Sequence, residues 1–202
     1  MSNIFVMSYD EPAYDKSEIF RYAGMKEKSS ETENLIDSAL SELEGKISYK
    51  VCFGEFSVEF FEDFIDLGFA KTQSEKLKIN LSGCYKTVVF AATLGIEIDR
   101  MIARYSYSSP ARAHILQAIG AERIEALCNS FCGELASEKA LLGERICPRF
   151  SPGYGDLPLD MQKDIFRALD CPRRIGLSLC DSMMMSPSKS VTAIVGVSKS
   201  AL

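Results

Sequence analysis

Histidine occurs once in this chain, as His114, and that scarcity removes much of ordinary enzyme chemistry. A self-sufficient hydrolase needs a histidine base or a pair of working carboxylates, and neither constellation is visible, so that class is poorly supported. No GxGxxG follows a predicted strand, which removes the dinucleotide and ordinary Rossmann methyltransferase signature, and no GxxxxGK[ST] offers a phosphate loop. No serine sits in a GxSxG elbow. The Asp-x-His-x-x-Gly pattern by which a protein histidine ligates cobalamin is also missing. Basic clusters are equally scarce. The longest is Pro-Arg-Arg at 172–174, in a chain of net charge −5, so nucleic acid is not an expected partner. No apolar run approaches the roughly 20 residues that cross a bilayer, so no membrane partner is expected either. The opening residues, MSNIFVMSYDEPAYDK, lack a basic region followed by a long apolar stretch, and this predicts a cytoplasmic location.

Cysteine is not scarce, but its pattern is uninformative. The seven thiols are odd in number and irregular in spacing, which fits reduced cysteines. Cys128 and Cys132 share one helix face, yet no CxxC pair exists and His114 has no partner motif, so small buried side chains are the reading favoured over a zinc site. Position 135 is leucine, which breaks the CxxxCxxC of radical enzymes. The run Met183-Met184-Met185 cannot aim three consecutive side chains at one point and reads as packing.

The 202 residues, 47% hydrophobic and 25% charged, suffice for one domain with a substantial core. A single domain spanning 1–202 is expected, its first part (1–45) helical. Residues 1–13 read as an extended lead-in, 15–24 as a short helix stopped by Gly24, and 29–46 as a helix capped by serine and stopped at Gly45. Alternation over 47–53 predicts a half-buried strand, with Ile47, Tyr49, Val51 and Phe53 on one face, and 57–61 suggests the return arm of a hairpin. A capped helix over 72–83, closed by Gly83, leads to a strand over 85–95, rich in β-branched residues and central to a sheet. Residues 96–142 read as helical, with Pro110 opening a second helix and Gly120 bending it. Ile124, Leu127, Cys128, Phe131 and Leu135 form its core stripe, and Glu125 lies just off it. His114 reads as a surface or cap residue. A helix over 157–170 should bury Leu159, Ile165, Phe166 and Leu169. The segments 174–180 and 190–198 read as an antiparallel strand pair. The class is α+β, a mainly antiparallel twisted sheet flanked by helices.

The stretch RFSPGYGD (149–156) places a permanent cation beside an irregular, glycine-rich backbone. Its R-x-x-x-G-Y resembles the S-adenosylmethionine motif of the activation domain of cobalamin-dependent methionine synthase. The followers keep that family's order: Pro158, the Ala-Leu-Asp ending a helix at 168–170, Gly176 and Leu179, then Ser182, Met185 and Pro187, and finally Ser190-Val191 opening the last strand. The match is best over about 120–197, and the whole chain, including ATLGIEID, looks like the short free-standing members.

The resemblance implies a ligand site built from Arg149, Gly153, Tyr154, Gly155 and Glu125, with no catalytic residue and no metal ligand of its own. Arg149 would grip the carboxylate of S-adenosylmethionine by a two-pronged hydrogen bond, and Glu125 would neutralise its ammonium. Gly153 would let backbone approach the ligand, Tyr154 would offer a ring edge and a phenol, and Pro152 would stiffen the loop. The implied function is a reactivation subunit for the reductive methylation of cobalamin. The corrinoid would be held by a partner, a separate methionine synthase or related corrinoid methyltransferase, and a flavodoxin-like donor would supply the electron. The alternative is a small-molecule-binding or assembly subunit that kept the fold without methyl transfer. Two departures from the family stand out. The segment after Tyr154 is Gly-Asp-Leu-Pro-Leu-Asp, where long members carry an Ala-Cys-Pro-acid-His run. The long members also continue past the Ser-Val strand to a further site tyrosine.

Overall fold

The structure is a computed structural model that describes residues 3–25 and 29–199. The extended lead-in forms an edge strand, β1 (Ile4–Ser8), the first two residues of the expected segment lying outside the described ones. Helices α1 (Lys16–Tyr22) and α2 (Ser30–Leu43) follow. Each starts on a side-chain cap: Asp15 Oδ1 accepts from the N–H of Ser17 at 2.9 Å, and Ser29 Oγ accepts from that of Thr32 at 3.2 Å. Strand β2 (Lys50–Ser57) leads into three two-residue strands, β3 (Glu59–Phe60), β4 (Ile65–Asp66) and β5 (Lys71–Thr72). Next come α3 (Glu75–Asn80), β6 (Lys86–Thr93), α4 (Glu97–Ser108) and the long α5 (Pro110–Leu141). The chain ends with β7 (Glu144–Ile146), α6 (Met161–Leu169), α7 (Cys171–Ile175), β8 (Ser178–Leu179), β9 (Met185–Ser186) and β10 (Ser190–Lys199).

The main sheet has the order β1-β2-β6-β10-β7 and is antiparallel throughout, which is the α+β architecture the sequence implied. Strand β6 is buried on both faces. Val88, Phe90 and Ala92 point into a core shared with α1, α2, α4 and α5, while Val89 and Ala91 point into a second core shared with α3, α6 and α7. Each fully buried aliphatic side chain of this kind contributes about 1.5–3 kcal/mol relative to exposure.

Several expectations are corrected. The strand expected over 47–53 begins at Lys50 and runs to Ser57, and it is not half-buried: Cys52 is fully buried in the second core. Alternation marks a strand covered on one side only when the other face is polar, and a cysteine on that face suits burial equally well. Residues 57–61 do not return as a hairpin arm. Ser57 still ends β2, and beyond it the chain leaves the sheet, β3 pairing with β4 instead. The pair expected between 174–180 and 190–198 is absent. Residues up to Ile175 are still helical, Ser178–Leu179 pairs with Met185–Ser186, and both edges of β10 belong to β6 and β7. Leu159 is exposed, and the helix behind it buries Met161 and Gln162 instead. Helix α5 runs unbroken through Gly120. The glycine has a packing reason: a Cβ there would lie 2.7 Å from Lys189 Cε, so the lysine stem crosses the helix at this point. His114 does act as a cap, its Nε2 lying 2.9 Å from the carbonyl of Ala23 at the end of α1.

The N-terminal segment is fastened to α5 by a buried charge. Arg123 is fully buried and donates to the carbonyls of Pro12 at 2.5 Å and Ala13 at 2.8 Å. It pairs with Glu122 at 2.5 Å, and Glu122 Oε1 accepts from the N–H of Asp15 at 3.2 Å. Removing one member of a buried pair leaves an uncompensated charge, which costs about 3–5 kcal/mol. Arg123→Ala is therefore expected to lose stability on that scale in urea unfolding, and Arg123→Met with Glu122→Gln to lose clearly less. Equal losses in the two proteins would show that the orphaned charge is not the cause.

Candidate functional site

The chain between β7 and α6 is where the regular sheet gives out. Strand β7 pairs with β10 only at Val197 to Lys199. Beyond it Phe150 makes a single antiparallel bridge to Ile194, with both N–H to carbonyl bonds at 2.8 Å. The chain then turns through Ser151 to Leu157. The N–H of Tyr154 donates to the Ser151 carbonyl at 3.1 Å, and that of Gly153 to the Leu157 carbonyl at 3.0 Å. Pro152 is buried, while Tyr154 is 72% exposed.

This turn walls a cavity of about 430 Å³. Arg149 and Glu125 line one part of it, Ser151, Pro152 and Tyr154 belong to the turn, and Gln162 of α6 with Ser190 and Thr192 of β10 add further polar residues. Glu125 and Arg149, 24 positions apart in sequence, are ion-paired through Oε2 and Nη2. Arg149 Nη1 also donates to Asn129 Oδ1 at 3.0 Å. Glu125 and Asn129 are one helical turn apart on α5, so one face of that helix presents both partners of the guanidinium. The pair is partly open to solvent, Arg149 being 26% and Glu125 39% exposed. A new partner can therefore reach either charge.

Of the five residues expected at a site, Arg149, Glu125 and Tyr154 line this cavity, and Gly153 and Gly155 do not. Both glycines have positive φ, 88° and 61°. A Cβ on Gly155 would lie 2.6 Å from Lys76 Cδ, and one on Gly153 would lie 3.2 Å from Leu159 Cδ1. Their absence of side chains is explained by the turn and by the chain's own neighbours. Asn129, Gln162 and Thr192 were missed. Asn129 had a signal, its i+4 spacing from Glu125. Gln162 and Thr192 looked like ordinary positions on a helix and a strand, and only the tertiary structure brings them to one cavity.

Burial pushes Cys128 up to about 12, only partly opposed by the Arg149 charge, and raises Cys132 as well. Among the described residues no group of three or more His, Cys, Asp or Glu could hold a metal.

The order Arg149-x-x-x-Gly153-Tyr154 on a strand-edge turn, facing an acidic residue on the preceding long helix, falls within the part of the chain that a family model matches. The family model described as "Vitamin B12 dependent methionine synthase, activation domain" covers residues 77–201. The chain belongs to this family. Its fold agrees: it is similar to a solved structure titled as the MetH reactivation domain bound to AdoHcy, with a TM-score of 0.71 over 96% of this chain and 78% of that one. Identity between the two is 16%, so the likeness establishes the fold of this activation-domain chain and no residue of its site. No curated protein matches the sequence. No helix among the described residues is long and apolar enough to cross a membrane.

The far end of the activation-domain turn is anchored by Asp156. Its carboxylate caps α3 from 80 positions away, accepting from the Ser74 hydroxyl and from the N–H groups of Glu75 at 2.9 Å and Lys76 at 3.3 Å. The Ser74 hydroxyl, and then those backbone donors, hold the carboxyl below the usual aspartate range. A depressed carboxyl contributes stability above its unfolded value, near 3.9, and that contribution is lost as pH falls through the folded value. The melting temperature of Asp156→Asn is thus expected to lie below that of the wild type at neutral pH, with the gap closing below about pH 4. A gap that stays constant down to pH 2, roughly two units below the unfolded value, would remove the carboxylate from this role.

Proposed function

We propose that this chain binds S-adenosylmethionine, and S-adenosylhomocysteine as the spent form, and presents the methyl donor to a cobalamin carried by a separate protein. The whole chain would act as a single unit, in the cytoplasm, in support of a methionine synthase or a related corrinoid methyltransferase. The observation that carries this reading is the Arg149–Glu125 pair in the cavity wall, at the positions where the family's motif calls for a cation and an acid.

The residues fit the ligand. An amino-acid end carries a carboxylate and an ammonium side by side. Arg149 and Glu125 offer one opposite charge to each, already in contact. Binding exchanges one mutual ion pair for two ion pairs with the ligand. Asn129 holds the second guanidinium nitrogen during the exchange, so Arg149 need not search for its orientation. The pair also keeps both charges satisfied before binding, which lowers the cost of leaving them half-buried. Anchoring the turn at Phe150 and Asp156 reduces the entropy lost when the ligand is held.

The corrinoid on the partner supplies the reactive metal chemistry. This chain's share is to hold the sulfonium where the partner can meet it, and a flavodoxin-like protein is the proposed reductant. Exposed apolar groups stand beside the site: Tyr154, Met184 at 67% and Leu159 at 43% exposure.

Calorimetry with S-adenosylhomocysteine tests the reading. A charge-assisted hydrogen bond to a ligand carboxylate contributes about 1.5–3 kcal/mol, so Arg149→Ala should weaken binding at least tenfold. Arg149→Lys should recover little, because one ammonium cannot reproduce a two-pronged contact. Undiminished binding by Arg149→Ala would place the ligand elsewhere. Binding without any effect on an inactivated corrinoid methyltransferase would leave the chain as a binding module.

A further inference from the structure

Strand β1 ends the main sheet on the side away from β10 and its cavity, and no strand among the described residues lies beyond it. Its residues, Ile-Phe-Val-Met-Ser, include no charge and no proline, the usual devices by which a sheet edge repels a further strand. Phe5 and Val6 stand on opposite faces and are 51% and 45% exposed. The backbone of this edge is also open. The N–H of Tyr9 donates to the Tyr49 carbonyl at 3.0 Å, and Met7 and Phe5 lie opposite Val51 and Phe53. These odd positions exchange their bonds with β2. By the alternation of an antiparallel ladder, the N–H and carbonyl groups of Ile4, Val6 and Ser8 point away from it. The Ile4 carbonyl accepts from Arg174 Nη1 at 3.1 Å and keeps a second lone pair.

The two ends of the edge carry opposite charges. Val6 shares a cavity of about 420 Å³ with Asp170, Arg173 and Arg174, and Arg174 reaches the Ile4 end of the strand. Asp10 lies past the other end and is exposed. By the two-residue period of a strand it continues the face of Ile4, Val6 and Ser8, the face on which α7 packs. An antiparallel copy of the same strand reverses this order. It brings its Asp10 to the arginine end and its arginines to the Asp10 end.

We propose that β1 pairs with β1 of a second copy of this chain, joining two five-stranded sheets across a two-fold axis at Val6. In this register Val6 faces Val6, Ile4 faces Ser8 and Phe5 faces Met7. The even positions hold the open backbone groups, so they form the hydrogen-bonded pairs, and Phe5 and Met7 form the closer non-bonded ones. Phe5 already packs on Phe53 with ring centroids 5.5 Å apart, and a methionine sulfur against such a ring is a favourable contact. The interface is self-complementary, as a two-fold requires, and each Asp10 comes beside Arg174 of the other copy. The cavity at β10 stays open, so the pairing is independent of what that cavity binds.

Sedimentation equilibrium tests the pairing. A five-residue edge is a small interface, so a dimer of twice 22.4 kDa should form with a dissociation constant of about 1–100 µM. Val6→Pro removes an outward N–H, leaves the bonds between β1 and β2, and should be monomeric with a melting temperature close to that of the wild type. Two charge variants probe the same register without altering the strand. Asp10→Arg and Arg174→Glu should each weaken association by about tenfold, since symmetry counts every contact twice. An equimolar mixture of the two proteins should associate as the wild type does, because both contacts in the mixed dimer again join opposite charges. A wild type that sediments at 22.4 kDa at every concentration would overturn the proposal and leave the edge to a strand of a different protein. A dimer that withstands Val6→Pro would overturn it too, as would a mixture of the charge variants that associates no better than either alone.

Discussion

Strand β6 has no polar face, and that constraint organises the molecule. A sheet whose central strand is apolar on both sides must be covered twice. Helices α1, α2, α4 and α5 form one layer, and α3, α6 and α7 form the other. The layers alternate along the sequence, α3 of the second falling between α2 and α4 of the first, so the chain crosses between them three times. The last crossing follows α5, through β7 and the turn at 149–157, over the end of the sheet where β10 loses its partner. The cavity lies at that crossing. One wall comes from the first layer through Glu125, another from the second through Gln162, and the strand between them contributes its unpaired edge. Covering β6 twice therefore makes the gap in which a ligand can touch both layers.

Two Arg–Glu pairs draw their glutamates from neighbouring positions on α5 and differ in everything but composition. Arg123 and Glu122 are sealed, and their remaining bonds go to backbone atoms of the N-terminal segment. Nothing can exchange with them without unfolding that segment. Arg149 and Glu125 are paired across 24 residues, partly exposed, and backed by Asn129. A pair of this kind can be traded for ligand charges because solvent already reaches it. Burial and the identity of the other partners, more than the ion pair itself, separate a fastening from a binding site. Position on the helix sets that burial: Glu122 and Arg123 face α1 and the lead-in, whereas Glu125 and Asn129 face the turn.

The parts of the fold that the sequence made legible are those fixed by local chemistry. Ser29, Gly45 and Gly83 marked helix ends because caps and positive φ are properties of single residues. The β-branched run at 86–93 was recognisable as a central strand, and Arg149 was recognisable because its motif is contiguous. What failed depended on partners distant in sequence. The partner of β10 could not be read from its own residues, since Ser190–Lys199 is equally suited to any apolar neighbour. Cys52 and Leu159 were misplaced because a cysteine or a leucine does not say which layer, or whether any layer, covers it. Gln162 was invisible for the same reason: a glutamine on an amphipathic helix is expected to face water, and only the placement of α6 against Thr192 turns it inward.

The turn at 149–157 shows how an irregular segment can be rigid enough to carry a site. Loops are usually the loosest part of a fold because few of their backbone groups are paired. This one is held at its start by the two-bond bridge of Phe150 to β10, inside by its own turns, at Pro152 by burial, and at its end by the Asp156 cap on α3. The anchors fall on different layers, first the sheet and then the helix behind it, so the loop is stretched between two supports. Gly153 and Gly155 supply the positive φ values that let the chain from Phe150 to Asp156 span that distance while turning back on itself. Arg149 stands just before the first anchor and Tyr154 between the two. The cation is thereby fixed relative to α5, and the ring of Tyr154 is presented outward to solvent.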